Sequence, residues 1–373
     1  MRQATTLFVQ MIRKIPNSMV QNAIDERRAD LRSRVFTARD HLYILLLGHL
    51  HGVSSLRQLI SLGEDLPELR TALGMKRIAR STLAEANQSR SHEFFRALMA
   101  QVLHACHQVA NRKPRRLRRI RYCLDSTCVE LCASLFDWAA VSRERAAVKM
   151  HILLRAGVAL PELIFVADGA THDVKVAKTM PIPPGSIVSM DRGYVDGQFF
   201  AKLHDRDILF VTRIKRGMKY RVLQRRRIPQ GATGIRTDQD IVLTGAGART
   251  YGERPLRRVS YRDPLTGQPL VFLTNTTDLA ARTIAGLYKE RWQVELFFKW
   301  IKQNLKVTSF WGRSQNALLV QLWVALLAYA LVSWIHLTIR TAWTRLRTLR
   351  YISTRLLHPV PESFWKPDVQ ETQ

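Results

Sequence analysis

Tyr288-Lys289-Glu290-Arg291-Trp292-Gln293-Val294-Glu295-Leu296-Phe297-Phe298-Lys299-Trp300-Ile301-Lys302 sets the carboxylate of Glu295 among cations in a strongly basic chain. A helix turns about 100° per residue, so Tyr288, Arg291, Glu295 and Lys302, at i, i+3, i+7 and i+14, point to one side. Trp292, Leu296 and Phe298 to Lys299 then fill the other flanks. The sequence therefore predicts one anchored helix that presents a phenol, a guanidinium, a carboxylate and an ammonium together. A carboxylate placed to work near phosphates calls for a divalent metal.

Upstream of this helix the pattern is one of short apolar runs bounded by glycine and proline. Ile120 to Val129, Val148 to Leu154, Leu163 to Val166, Ile187 to Met190 and Ile208 to Ile214 read as strands. Helices are expected over His172 to Thr179 and Asp196 to His204. The order strand, strand, strand, helix, strand, helix, strand predicts a mixed α/β sheet. Residues 216 to 270 turn polar, basic and glycine-rich, with alternating pieces at Asp240 to Leu243 and Arg257 to Tyr261, and read as twisted β hairpins. Leu270 to Thr274 is a last strand before the Glu295 helix, so a β-rich insertion interrupts the α/β core.

Two aspartates in this region stand where apolar neighbours make a charge costly: Asp125 in Tyr-Cys-Leu-Asp-Ser-Thr and Asp191 in Val-Ser-Met-Asp-Arg-Gly-Tyr. Each alone has an ordinary explanation as a turn or capping residue. Both end predicted strands of one sheet, and Glu295 lies on a late helix. The three together can ligate a pair of divalent cations, one activating a nucleophile and one stabilising a leaving oxygen. Mg²⁺ suits an oxygen-only ligand set. Asp168 and Asp173 compete for such a role, but Asp168-Gly169 makes a good turn and Asp173 follows His172 at a helix start.

The chain has 373 residues, a formal net charge of +28 and a sequence pI near 10.8. A charge of that size points to a polyanionic partner, nucleic acid first, because clustered Lys and Arg release condensed counterions when they meet phosphates. Arg213, Lys215, Arg216, Lys219, Arg221, Arg225, Arg226 and Arg227 form a basic strip suited to a DNA backbone. The tract Asn111 to Arg121 is a basic linker, either laid along phosphates or simply solvated. Trp292 and Trp311 can stack on an unpaired base or serve as core. Cys106, Cys123, Cys128 and Cys132 lack zinc-site spacing and read as buried free thiols.

Residues 1 to 110 read as a small all-helical domain: Arg39 to Leu50, Ser54 to Leu62 after Gly52, and one long pattern from Ser81 to Cys106 with a polar cap at Ser81 and Glu85. The N-terminus carries no signal-peptide pattern, which implies a reducing cytosolic compartment. Ala317 to Leu337 is apolar and long enough to span a bilayer. With Gln321, Ser333 and His336 inside it and no second span, it is expected to be a buried helix rather than a membrane segment.

With these residues assembled, the chain resembles the DDE transposases of the IS4 type, whose hallmark Tyr-x2-Arg-x3-Glu-x6-Lys stands complete as Tyr288, Arg291, Glu295 and Lys302. Asp125 and Asp191 resemble the family's first and second catalytic aspartates. Gly52-Val-Ser-Ser-Leu-Arg57 and Ala79 to Asn87 resemble the helical domain that precedes the core in one IS4 subgroup. The resemblance implies an RNase H-like core at 122–215 and 271–340 split by the β-rich insertion at 216–270. Ahead of it would lie a helical DNA-binding domain at 1–110 and the linker at 111–121, and after it a basic tail at 341–373. It further implies binding of terminal inverted repeats, cleavage with Mg²⁺ (Mn²⁺ able to substitute) through Asp125, Asp191 and Glu295, a hairpin step, and joining of the 3′ hydroxyl to target DNA. Tyr288, Arg291, Lys302, Trp292, Arg213, Lys215 and Arg216 would hold double-stranded DNA. A homodimer would bridge the two ends, in bacterial cytoplasm and on the nucleoid. A metal-dependent endonuclease without strand transfer and a decayed DNA-binding regulator are the rival readings.

Overall fold

A computed structural model describes residues 5–31, 33, 35–111, 119–132, 134–142, 145–304, 309–339 and 343–365. Most of the basic linker at 111–121, and both ends of the basic tail, fall outside them. The chain forms two compact units, one from residues 1–114, 130–146 and 299–373 and the other from residues 115–129 and 147–298. The division at 298/299 falls inside the segment 271–340 expected to be the second part of the core.

The first unit begins with seven helices: α1 (Leu7–Ile12), α2 (Asn17–Arg27), α3 (Ala38–His51), α4 (Leu56–Glu64), α5 (Pro67–Leu73), α6 (Arg80–Ser89) and α7 (His92–Asn111). Helix α3 starts at a reciprocal cap, in which Thr37 and Asp40 each bond the other's backbone amide, and ends at Gly52 in the left-handed region. The single pattern expected from Ser81 to Cys106 is instead two helices that break at Arg90 and Ser91. Arg90 leaves the helical path with its guanidinium donating to the carbonyls of Ala29 and Phe36. Ser81 lies inside α6, which has no side-chain cap.

His41 on α3 is fully buried, meets Phe95 edge-on at 5.3 Å and places Nε2 2.7 Å from Asn87 Oδ1. Burial first, and then the charge of Arg90, bring its pKa down to about 3. A depressed folded pKa means that the stability from keeping this ring neutral is complete above the unfolded value of 6.5 and is withdrawn as pH falls toward 3. Urea titrations at pH 6.5 and pH 5 should show the full chain losing about 2 kcal/mol that a His41→Gln variant does not lose.

The second unit is built on one sheet. Its strands are β1 (Arg121–Cys132), β2 (Arg145–Arg155), β3 (Leu160–Asp168), β4 (Ile187–Met190), β5 (Leu209–Arg213), β6 (Tyr220–Arg225), β7 (Ile235–Leu243), β8 (Leu256–Arg262) and β9 (Pro269–Thr274). Helices α8 (Asp173–Thr179), α9 (Gly197–Asp205), α10 (Ala246–Tyr251), α11 (Ala281–Glu290) and α12 (Trp292–Asn304) punctuate them, α12 running on into the first unit. The sheet order is β3-β2-β1-β4-β5-β9-β8-β7-β6, with β2 and β3 antiparallel and β1, β4 and β5 parallel. The first five strands form the RNase H-like core, in the strand and helix order the sequence predicts.

The insertion is β-rich as expected, but its strands do not form a separate layer. Strand β9 pairs with β5 on one side and β8 on the other, so β8, β7 and β6 extend the core sheet. Ile241, Leu243, Tyr251 and Leu256 from the insertion bury themselves with Phe199, Phe200 and Phe210 of the core. Gly197 opens α9 where a Cβ would collide with Thr250 of α10, so only glycine permits that approach.

In the first unit, α13 (Gln315–Ile339) packs against α3, α6 and α7, and also against α14 (Arg345–Arg355). Helix α13 is long and apolar enough to cross a membrane, yet 89% of its most apolar window is buried inside the protein. Trp311 is core: it is 4% exposed, tilts against His49 at 4.5 Å and fills the space beside Gly48. Cys106 and Cys123 are buried, whereas Cys128 and Cys132 are exposed, a correction to the expectation of four buried thiols. Along the end of β1, Val129 and Leu131 face inward, so their alternating neighbours face out.

Candidate active site

The parallel pairing of β1 with β4 ends at Leu124 opposite Met190. Asp125 is the next residue within β1 and Asp191 the first beyond β4, so only Asp191 ends its strand as expected, and the two carboxylates come to adjacent positions where the pairing stops. Ser126 N–H donates to Asp125 Oδ1 at 2.9 Å. Asp191 turns the chain into a short 3₁₀ segment by accepting the Gly193 N–H at 2.6 Å, and its carbonyl accepts the hydroxyl of buried Thr212.

Glu295 reaches this edge of the sheet from a broken helix. Instead of the single helix expected from Tyr288 to Lys302, α11 ends at Glu290 and α12 begins at Trp292. Arg291 stands at the junction in a tight turn, with Arg291 N–H bonding Tyr288 O and Val294 N–H bonding Arg291 O. The end of α11 is pinned from the sheet. The Cys123 thiol donates to Glu290 O at 3.2 Å, Ser189 Oγ donates to Leu287 O at 2.8 Å, and Arg121 pairs with Glu290 at 2.9 Å. The thiol and the hydroxyl satisfy carbonyls that a helix end leaves open, and Arg121 holds the Glu290 carboxylate. Gly157 N–H adds a bond to Gln293 at the start of α12.

The guanidinium of Arg291 gathers the site. One nitrogen lies 3.0 Å from Asp125 Oδ2 and the other 2.6 Å from Glu295 Oε1, with the Arg side chain only 12% exposed. It also sits over the Tyr288 ring, 5.5 Å from its centroid, while that ring packs on Phe272. Burial pushes the Asp125 carboxyl up to about 6; the Ser126 amide and Arg291 oppose this, and the charges of Asp191 and Glu295 add to it. Burial likewise raises the Tyr288 phenol, against the pull of Arg291 and of Arg213 at the end of β5.

These residues fit a divalent cation in chemistry. The donors are all carboxylate oxygens, as Mg²⁺ prefers, and Asp125 is held toward its protonated form by burial and like charge, which a cation would relieve. Among the described residues no three His, Cys, Asp or Glu side chains converge on one point as they stand. The cation between Asp125 and Glu295 is the guanidinium of Arg291.

The DNA-facing candidates are placed unevenly. Of the residues expected to anchor the helix, Phe298 is buried as expected, but Trp292 and Leu296 are 57% and 51% exposed; Val294 and Phe297 are buried in their place. Lys215 donates to the Val195 carbonyl at 3.0 Å, and Arg216 is exposed. Arg226 is committed to Asp240, whereas Arg221, Arg225 and Arg227 are exposed or nearly so along β6 and just past it. Lys302 lies in the last turn of α12, on the stretch that belongs to the first unit.

Residues 116–331 match the family described as the Transposase DDE domain. The chain belongs to the DDE transposase family. Residues 3–63 of this transposase match a second family, described only as a domain of unknown function (DUF4372). Three relatives agree. A probable transposase for insertion sequence element IS5377 from Geobacillus stearothermophilus is 29% identical over 82% of this chain and 78% of its own. A putative transposase, y4zB, from Sinorhizobium fredii is 33% identical over 67% and 69%. A putative transposase for insertion sequence element IS4SA from Synechocystis is 23% identical over 76% and 80%. Among solved structures, the piggyBac transposase in a synaptic complex with hairpin DNA aligns over 98% of this chain and 86% of that one, at 11% identity and a TM-score of 0.45.

Sequence reading picked out Asp125, Asp191, Glu295 and Arg291, which lie around one end of the sheet. It missed Arg121, Cys123 and Ser189, which set the end of α11. No local pattern marks them, because their partners lie far along the chain.

Proposed function

We propose that this transposase, of the IS4 group, binds the terminal inverted repeats of its insertion sequence, cleaves the ends by way of a hairpin, and joins the 3′ hydroxyls to target DNA. The observation that carries the reading is the Arg291 guanidinium bonded to both Asp125 and Glu295, with Asp191 at the adjacent strand end. Asp125, Asp191 and Glu295 would hold Mg²⁺, or Mn²⁺ in its place, which when bound activates the attacking oxygen and stabilises the leaving one in an in-line displacement at phosphorus.

The chain's own residues do the positioning. Arg291 exchanges its carboxylates for a phosphate of the transposon end, where its planar fork matches two oxygens. Tyr288 donates its hydroxyl to a phosphate oxygen, and Lys302 supplies a point charge further along α12. Exposed Trp292 offers its ring to a base left unpaired near the cut, a contact worth about 1–3 kcal/mol. Arg213, Lys215 and Arg216 follow the duplex backbone. Two copies hold the two ends of the element, and the protein works in the bacterial cytoplasm on the nucleoid.

A supercoiled donor plasmid carrying the element's ends, incubated with the full chain, Mg²⁺ and a target plasmid, tests this. Excised ends and joined product are expected. Cut ends without joined product would favour an endonuclease, and binding without cutting a decayed regulator.

A further inference from the structure

Asp173 opens the short helix α8, where an aspartate ordinarily caps the first turn. It does not do so here. The cap position is His172, and no side chain caps that helix. The Asp173 carboxylate instead reaches across to β1, where its Oδ1 accepts the hydroxyl of Ser126 at 2.7 Å. From β2, Lys149 Nζ lies 3.3 Å from the same oxygen, and Nδ1 of fully buried His151 lies 3.7 Å away. Lys149 is itself held by the carbonyl of Thr171 at 3.0 Å.

Ser126 connects this cluster to the site. Its hydroxyl is fixed by Asp173, and its backbone amide donates to Asp125 Oδ1. Asp125 is therefore oriented from two sides: Arg291 takes Oδ2, and the Ser126 amide takes Oδ1. The Ser126 side is tied onward to Asp173, on another element of the same unit. The Arg291 side is the one that DNA would draw away.

We propose that Asp173 is a positioning residue for the metal site: through Ser126 it locks the rotamer of Asp125, so that the ligand stays oriented when Arg291 gives way to the cation or to phosphate. The proposal rests on the reading that Asp125 ligates the cation. Outer partners that orient a ligand typically contribute 10–100-fold to metal affinity.

Mn²⁺ binding to the full chain, without DNA, followed by electron paramagnetic resonance of the free ion, tests it. Asp173→Ala should weaken Mn²⁺ affinity about tenfold or more, and Asp173→Asn, which keeps an acceptor for Ser126, should recover most of the loss. Ser126→Ala should weaken it as Asp173→Ala does, and the double variant no further, because both remove one bond. Ser126→Ala also stands in if Asp173→Ala fails to fold. A purely structural role would move the melting temperature and leave the affinity of the folded protein unchanged. Wild-type affinity in Ser126→Ala or folded Asp173→Ala, with binding lost in Asp125→Ala, would overturn the proposal alone. Wild-type affinity in Asp125→Ala would instead overturn the metal reading beneath it.

Discussion

Asp125→Asn, Asp191→Asn and Glu295→Gln are each expected to lower end cleavage by about 10³-fold or more, while affinity for an end duplex should stay within about threefold of wild type or rise. Each substitution keeps the side chain's shape and removes one negative charge from a place where phosphate must approach. Arg291 remains bound to whichever of Asp125 and Glu295 is left charged, so the junction between α11 and α12 keeps a partner. Binding and chemistry thus separate. Cleavage of labelled end duplex in single turnover, beside a gel-shift titration at fixed salt, measures both. Residues that act as one unit lose function together, so any pair of these substitutions should be little worse than one. Cleavage at the wild-type rate in any single variant would remove that residue from the catalytic set.

Arg257→Ala should destabilise the second unit by about 3–5 kcal/mol. Its guanidinium meets Asp238 through two bonds, at 2.8 and 2.6 Å, with both side chains almost wholly buried. The same group donates to the carbonyls of Thr277 and Leu279, in the connection between β9 and α11. Removing the arginine strands a buried carboxylate and frees the chain that leads to the Arg291 junction. Urea unfolding followed by tryptophan fluorescence and by circular dichroism should show an early transition in the variant. An Arg257→Met, Asp238→Leu double variant should regain most of the loss, since two apolar side chains leave no orphaned charge. Unchanged unfolding in Arg257→Ala would show that the pair offsets only its own desolvation.

The strands of the core were legible because β1, β2, β3, β4 and β5 are short apolar runs bounded by turn residues, and local pattern suffices for those. Asp125 and Asp191 are legible for the same reason, as charges that directly follow apolar residues, Asp125 inside β1 and Asp191 just past β4. The break at Arg291 was not. Lys289-Glu290-Arg291-Trp292 contains no glycine or proline, and the turn comes with donors from Cys123 and Ser189, distant in sequence. The exposure of Trp292 and Leu296 escaped for a related reason: helical period tells which residues share a face, not which face meets the sheet. The role of Asp173 is hidden in the sequence because a helix start explains the residue locally, while its partner Ser126 lies on another element. The outward-facing thiols are a different case. Val129 and Leu131 alternate with Cys128 and Cys132, and that period was there to be read.

Strand β9 is hydrogen-bonded on both sides, to β5 and to β8, so residues 216–270 are no exchangeable cassette hung on the catalytic core. Excising them would bare one side of β9, the strand from which the chain passes to α11 and the Glu295 helix, and turn it into an open edge able to recruit another molecule. Length changes compatible with this architecture are therefore expected at the far border of the sheet. There β6 has one neighbour and a largely exposed surface, and residues can be added or lost without disturbing the path to the site.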